Sequence, residues 1–324
     1  MTRAKKTSNE PGAERFVDMW ALAGAHPTNI DLLQRLRSAD DRQFGANMDV
    51  CGSISERDSK TGKWEETRIV AVRTDVWNPG KEKLQQRLKS LQESRRDQLR
   101  REIKRSGRLD VDQADQLARR LQGDPVMRLK PSDLLHRRLV MKMFHSSGER
   151  IHWAGSIEEV TTREVHNSIG SRRPLLSLAA ILPGYDYVVA IEQNHRTLRI
   201  PAVFTFSLFD EAEKQVHYVS IKRKWISVGA DFDIESGGRR IGEIDGQLLS
   251  FGFNARVSVR DPALAENRQL LDLLTLFTAT VGYHRAMRGS VRRRVRAVSA
   301  GASFQHLVED EEVWLLKNPR RRAA

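Results

Sequence analysis

The chain has 324 residues, of which 39% are hydrophobic and 30% are charged, so its length allows one large domain or two ordinary ones. The single cysteine, Cys51, excludes a disulfide framework within the chain and a metal site built from cysteines. The first residues, MTRAKKTSNEPG, are polar and no apolar segment of a signal peptide follows them. We therefore expect a cytoplasmic protein.

The formal net charge is +13, from 55 Lys and Arg against 42 Asp and Glu. This balance favours anionic partners, namely nucleic acid, acidic protein or an anionic membrane surface. A solvated basic surface that binds no partner is the alternative interpretation of the same charge.

The N-terminal part of the chain predicts a tail followed by a small unit of helices and strands. The polar residues 1–13 are predicted to be a disordered tail. The sequence Asp58-Ser-Lys-Thr-Gly62 is typical of a hairpin turn, and residues 14–80 are predicted to form one α+β unit around it. Helical spacing is followed there by strand-like spacing, at 14–23 and 28–37 and then at 48–54 and 64–72.

Residues 81–122 predict a basic helical hairpin. Apolar side chains recur at spacings of three and four from Leu84 to Ile103 on an otherwise charged helix, and a second helix covers 110–121. Helices 81–121 are expected to dock a protein partner or a second copy of the chain. Contact with nucleic acid through the basic side chains is the alternative.

From residue 134 onward the apolar period changes from helical to two, which is typical of antiparallel strands with one buried face. Tight turns separate these segments, as after the alternating Phe204, Phe206 and Leu208. The apolar run Leu175–Leu182 predicts a buried strand or a short core helix. A loop that dips into a membrane is the alternative for this run.

An apolar helix is predicted over 262–287. Asp261 suits the N-cap and Pro262 suits the first helical position. Over 270–281 the single charged residue is Asp272, so the helix requires burial on nearly all sides. It is too short to span a bilayer, which needs about 20 predominantly apolar residues.

These patterns together predict an α+β fold. A C-terminal antiparallel β-barrel, 134–288, is expected to wrap around the central hydrophobic helix 262–287, because closure buries the helix and removes the sheet edges. An N-terminal helical and α+β region precedes the barrel, and a basic C-terminal extension, 289–324, follows it.

Three features from about 200 to 287 carry a resemblance to a known family. They are the phrase Gly237-Gly-Arg-Arg-Ile-Gly-Glu-Ile-Asp-Gly246, the long strand that follows it, and the apolar helix with Tyr283 near its end. In this order they resemble the Tubby C-terminal-like superfamily, with the LURP-one-related and phospholipid-scramblase-like branches most similar. The resemblance implies a β-barrel threaded by a hydrophobic helix, and its Tubby branch implies phosphoinositide binding by basic barrel residues. The cysteine cluster and acidic calcium-binding segment of the scramblase branch are missing from this sequence.

Two basic clusters are the candidate binding sites. The strand cluster is expected to bind anionic phospholipid headgroups, since each Lys or Arg near an anionic membrane contributes about 1 kcal/mol. The helical cluster is the alternative site for nucleic acid, because guanidinium groups suit phosphate oxygens. The strand cluster consists of Lys222, Arg223, Lys224, Arg239 and Arg240. The helical cluster consists of Arg285, Arg288, Arg292, Arg293, Arg294 and Arg296.

No catalytic residues, cofactor or metal site are predicted. The sequence has no GxSxG, Walker A or GxGxxG motif, and its nine histidines show no HxH or HExxH spacing. Asp231, Asp233 and Glu235 alternate on one strand and are interpreted as a solvated face, with a calcium site as the alternative. The expected function is a non-enzymatic, peripheral membrane module that binds anionic phospholipid. The alternatives are a nucleic-acid or ribonucleoprotein-associated factor and a scaffold or assembly subunit.

Overall fold

A computed structural model describes residues 12–20, 48–58, 61–77, 80–105, 113–131, 137–147, 150–195, 202–226, 229–249 and 252–299. Twelve antiparallel strands in these ranges form one closed barrel. Each strand pairs with its neighbours in sequence, and β1 pairs with β12 to close the circle. The strands are β1 Ala13–Trp20, β2 Met48–Arg57, β3 Trp64–Arg73, β4 Val140–Ser147, β5 Arg150–Glu159, β6 Ser177–Ile181, β7 Val189–Gln193, β8 Val203–Asp210, β9 Gln215–Arg223, β10 Phe232–Ser236, β11 Arg239–Leu249 and β12 Gly252–Val259.

Seven α-helices and one 3-10 helix, Pro125–Arg128, lie in the described ranges. The α-helices are α1 Thr74–Trp77, α2 Lys81–Arg105, α3 Gln113–Gly123, α4 Thr161–Ser168, α5 Pro262–Glu266, α6 Arg268–Val281 and α7 His284–Ser299. None of these helices is both long enough and apolar enough to cross a bilayer. Residues 1–11 of the predicted tail, the predicted helix at 28–37 and residues 300–324 of the predicted extension lie outside the described residues.

The predicted helix at 14–23 is wrong over residues 14–20, and the predicted tail 1–13 is wrong at its last residue, because Ala13–Trp20 forms strand β1. Val17 and Met19 are buried and alternate with half-buried neighbours, which is the period of a strand. Strand β1 lies between β2 and β12, so the first three strands belong to the same closed sheet as the other nine. The barrel therefore begins at Ala13, and β1–β3 do not form the separate α+β unit predicted for 14–80.

The other predicted elements agree more closely with the structure. Strands β2 and β3 occupy the two strand-like segments before residue 80, and Gly62 N donates to Asp58 O at 2.8 Å in the turn between them. Helices α2 and α3 are present and contact each other. The run Leu175–Leu182 contains β6, whose five residues are all buried, so the membrane-dipping alternative for this run is wrong.

The predicted helix at 262–287 is interrupted twice. Asn267 ends α5 and caps α6, because its Oδ1 accepts from Leu270 N at 2.8 Å. A second break at Gly282 and Tyr283 separates α6 from α7. The cap at Asn267 and the break at Gly282 and Tyr283 therefore divide one predicted helix into three.

Helix α6 and the barrel share one hydrophobic core. All residues from 272 to 280 are buried, and α6 contacts β1, β4, β5 and β12. The Phe277 ring meets Phe204 of β8 at 5.0 Å and Phe232 of β10 at 6.1 Å between centroids. Side chains from strands far apart in the barrel order therefore pack against the same helix.

A glycine in β5 allows this close packing. Gly155 lies at a β-bulge with φ +145, and a Cβ at this position would stand 2.9 Å from Leu276 Cδ1 of α6. We expect Gly155→Ala to lower the free energy of unfolding by about 1–3 kcal/mol through strain and overpacking. Gly184 also has a positive φ, +66, but open space around it, so Gly184→Ala reports the backbone strain alone. Equal losses in chemical denaturation would contradict tight packing at Gly155.

Candidate anion-binding site

Helix α7 is fixed to the barrel by one buried arginine. The Arg294 side chain is 1% exposed, and its Nη1 lies 2.7 Å from Glu164 Oε2 of α4 and 3.7 Å from Glu159 Oε1 of β5. Its Nη2 donates to the backbone oxygen of Arg137. Met287 is buried on the same helix. Arg294, which the sequence assigned to nucleic-acid binding, is therefore occupied inside the protein.

Burial raises the pKa of both carboxyl groups that face Arg294. For Glu164 the charge of Glu159 adds to this rise, and Arg294 opposes it. For Glu159 the attraction of Arg294 and a hydrogen bond from Leu139 N oppose the effect of burial. One guanidinium shared by two buried carboxyl groups favours retention of a proton in this group.

Four arginines, which we call the arginine cluster, are linked electrostatically, because the charges of three of them act on the Arg288 side chain of α7. Arg288 and Arg292 are one helical turn apart on α7, Arg223 ends β9, and Arg173 precedes β6. Burial lowers the pKa of Arg288, and the charges of Arg292, Arg173 and Arg223 lower it further. No ion pair with a carboxylate involves any of the four within the described ranges. Like charges held together without a counterion form a site that attracts anions.

Two polar atoms beside the arginine cluster have no hydrogen-bond partner among the described residues. They are Arg288 Nε and His284 Nε2, and both are buried. Burial lowers the pKa of His284 to about 4, and the charges of Arg288 and Arg223 contribute to this shift. His284 is therefore neutral at physiological pH. Its imidazole and the Arg288 guanidinium retain the capacity to hydrogen-bond a ligand.

Exposed apolar side chains lie close in sequence to two members of the arginine cluster. Trp225 is 73% exposed and Ile226 is 94% exposed in the loop between β9 and β10. Arg223 lies across this loop, since its Nη2 donates to Gly229 O at 3.4 Å. Ile169, in the turn before Arg173, is 55% exposed. Exposed apolar residues therefore lie within four positions in sequence of two of the four arginines, Arg173 and Arg223.

The predicted strand cluster is not one site in the structure. Lys222 pairs with Glu235, and Lys224 Nζ lies 3.2 Å from Glu243 Oε2. Arg240 pairs with Glu243 as well, and its Nη2 lies 2.9 Å from Asp233 Oδ1. Nearby carboxylates therefore neutralise most of this cluster.

The two remaining members of the strand cluster lie elsewhere. Arg223 belongs to the arginine cluster. Arg239 is 82% exposed and its Nη2 lies 3.8 Å from Asp261 Oδ2. Asp233 and Glu235, which the sequence offered for calcium, are partners of these basic side chains.

The helical cluster is also divided by the structure. Arg288 and Arg292 enter the arginine cluster, whereas Arg294 is buried. Arg293 Nη2 donates to Ser290 Oγ at 3.0 Å. Arg285 and Arg296 are exposed on α7.

A second concave region lies at one end of the barrel. A cavity of about 560 Å³ is lined by His145, His152, Trp153, Ala154, Leu182, Pro183, Gly184, Arg268, Gln269 and Asp272. At its floor Asp272 Oδ1 lies 2.6 Å from Arg15 Nη1 and 3.3 Å from Arg68 Nη2. Glu56 also pairs with both arginines, so two carboxylates balance these two guanidinium groups and weaken the attraction of the cavity for an anion.

Cys51 is buried, and burial raises the pKa of its thiol to about 12. A protonated, enclosed thiol is a poor nucleophile, so Cys51 is part of the core.

Sequence reasoning missed Arg173 and His284 as site residues, and it assigned Arg223 and Arg288 to different clusters. The signal for Arg173 was the pair Arg172-Arg173 before the buried strand, although adjacency alone does not show which surface it reaches.

Comparison of the chain with family models, with curated proteins and with solved structures found no match.

Proposed function

We propose that this protein is a non-enzymatic module that binds anionic phospholipid headgroups peripherally, through the arginine cluster rather than through the predicted strand cluster. The observation that carries the proposal is that the positive charges of Arg292, Arg173 and Arg223 all act on the Arg288 guanidinium, while none of the four pairs with a carboxylate in the described ranges. Guanidinium groups donate in a fork that suits phosphate oxygens.

The unused hydrogen-bond donors support a phosphate ligand. Arg288 Nε is buried and has no partner in the part of the chain that the structure describes. A buried donor without a partner is costly, and a phosphate oxygen would satisfy it. A headgroup phosphate also relieves the mutual repulsion that lowers the pKa of Arg288.

The exposed apolar residues favour a membrane over nucleic acid. Trp225 and Ile226 project from the loop that Arg223 contacts. Tryptophan is enriched at the level of lipid headgroups, and insertion of apolar tips adds to electrostatic attraction. A protein that contacts only the phosphates of a nucleic-acid duplex does not need exposed apolar side chains of this kind.

We further propose that α6 runs through the interior of the barrel and that the chain is related to the Tubby C-terminal-like superfamily. The closed twelve-stranded barrel and the burial of α6 support this proposal. The contacts of α6 with Phe204 and Phe232, in addition to those with β1, β4, β5 and β12, also support it.

We expect Arg288→Gln combined with Arg292→Gln to weaken vesicle binding by about 30-fold. Each basic residue near an anionic surface contributes about 1 kcal/mol, so the loss of two amounts to about 2 kcal/mol. The measurement is co-sedimentation of the full chain with vesicles of phosphatidylcholine, with and without phosphatidylserine or phosphatidylinositol bisphosphate.

The matched control is Arg285→Gln combined with Arg296→Gln, which removes the same charge from exposed positions of the same helix. The control pair should remain near wild type. If both double variants weakened vesicle binding equally, net charge alone would explain the effect and the arginine cluster would not be a specific site. Gel shifts with RNA and DNA complete the comparison, because binding of nucleic acid with no binding of vesicles would replace the lipid proposal by the nucleic-acid alternative.

A further inference from the structure

Three potential metal ligands meet in the hairpin between β8 and β9. Asp210 ends β8, Glu213 lies in the turn, and His217 lies on β9 opposite Leu208. The carboxylate oxygens of the two acids and a ring nitrogen of the histidine lie within 4.8 Å of one another. The arginine cluster involves none of these residues.

The Nε2 atom of His217 makes no hydrogen bond in the part of the chain that the structure describes. His217 is 8% exposed, and its Nε2 is buried without a hydrogen-bond partner among the described residues. This nitrogen lies 3.7 Å from Asp210 Oδ2, which is too far for a hydrogen bond. A buried polar atom of this kind requires an explanation, and a bound cation is one that fits its neighbours.

The carboxylate of Asp210 is already oriented for such a role. Its Oδ1 accepts from Ala212 N at 2.9 Å and from Glu213 N at 3.1 Å, which fixes the turn. Its Oδ2 accepts from Asn267 Nδ2 at 2.7 Å. Asn267 is itself held by its capping bond to Leu270 N. Supporting hydrogen bonds that orient ligating side chains are typical of metal sites.

We propose that Asp210, Glu213 and His217 bind a divalent transition-metal ion, for which Zn²⁺ is the best match. Imidazole nitrogen with carboxylate oxygens is a zinc ligand set, whereas Ca²⁺ and Mg²⁺ take oxygen ligands. Among the divalent ions that accept this set, Zn²⁺ binds more tightly than Mn²⁺ or Fe²⁺. Three protein ligands leave the fourth position of a tetrahedral ion to water.

The position of the site gives the ion a mechanical consequence. Asp210 is hydrogen-bonded to Asn267, the residue at which α6 begins. An ion held by both strands of the hairpin and by its turn therefore braces the β8–β9 hairpin against the start of this helix.

The test is zinc binding by the full chain after removal of metal with a chelator, measured by calorimetric titration. Glu213→Gln is the informative variant because Glu213 is exposed, so its replacement leaves the core intact. We expect it to weaken zinc binding by at least about tenfold. Replacing a residue that only supports a metal ligand already costs about tenfold in affinity, so replacing a ligand should cost no less. Glu211→Gln is the matched control, since Glu211 is exposed in the same turn and lies outside the ligand group.

Cobalt provides a second readout. Co²⁺ bound at the site should give the visible absorption of a tetrahedral complex, and His217→Gln should abolish it while Glu211→Gln should not. Failure of the wild-type chain to bind zinc overturns the proposal. Zinc binding that Glu213→Gln and Glu211→Gln leave equally strong also overturns it, because the ion would then lie elsewhere.

Discussion

We expect Arg294→Met to lower the free energy of unfolding by about 3–5 kcal/mol. Methionine fills a similar volume, so the change removes the charge and the hydrogen bonds rather than the packing. What remains is Glu159 and Glu164, both fully buried, without the cation that now faces them. Breaking a buried ion pair from one side costs more than the intact pair contributes, because the abandoned charge cannot return to water.

The loss should depend on pH, and its sign follows from the two carboxyl groups. Arg294 lowers a pKa that burial raises for both glutamates, so its removal raises each pKa further above the ordinary value of 4.5. A raised folded-state pKa means that the folded state retains protons that the unfolded state has released. Such a group costs stability progressively as the pH rises from 4.5 through the raised pKa. The difference between variant and wild type should therefore be smallest near pH 4.5 and grow toward neutral pH.

Urea denaturation at several pH values measures this difference. Arg293→Met is the control, because Arg293 is adjacent on α7 and exposed. It should change the free energy of unfolding by no more than about 0.5 kcal/mol. A loss for Arg294→Met that is small, or that does not change with pH, would show that the glutamates do not depend on this arginine.

Arg294 also shows where sequence reasoning ends. Six arginines in one short segment indicate an anion-binding helix, and two of them do enter the arginine cluster. Glu164 lies 130 residues before Arg294, and nothing local in the sequence announces that the two will meet. The prediction for the strand cluster was wrong for a related reason, since Glu235 and Asp233, which pair with Lys222 and Arg240, come from the neighbouring strand β10.

The period of apolar residues predicted β2 to β5 and β8 to β12, together with α2 and the burial of α6, but it left β6 open between a strand and a helix and did not predict β7. It failed at β1, where Phe16, Met19 and Trp20 fit a helix while the buried Val17 and Met19 fit a strand. Such a short segment does not decide between the two periods, and pairing with β12, more than 230 residues away, decided it. The ligand group around His217 was missed because Asp210 and Glu213 lie at and within a turn. A turn follows neither the helical nor the strand period, so their spacing in sequence does not show that these side chains meet.

A second large loss is expected for Asp272→Asn, at about 3 kcal/mol or more. Asp272 is 4% exposed on the apolar helix α6 and faces two buried guanidinium groups, with Arg15 Nη1 at 2.6 Å and Arg68 Nη2 at 3.3 Å. Asparagine keeps the size but leaves the two cations with Glu56 as their remaining shared anion. Burial already lowers the pKa of Arg15, and the positive charge of Arg68 lowers this pKa further.

This prediction tests whether the charged groups hold α6 to the strands, because Arg15 belongs to β1 and Arg68 to β3. Glu266→Gln, an exposed change of the same kind at the end of α5, is the control and should be near neutral. Chemical denaturation of both variants gives the comparison. If Asp272→Asn were as mild as Glu266→Gln, the charges at the helix start would not hold it to the strands. Apolar packing around Phe277 would then have to fix the helix without them.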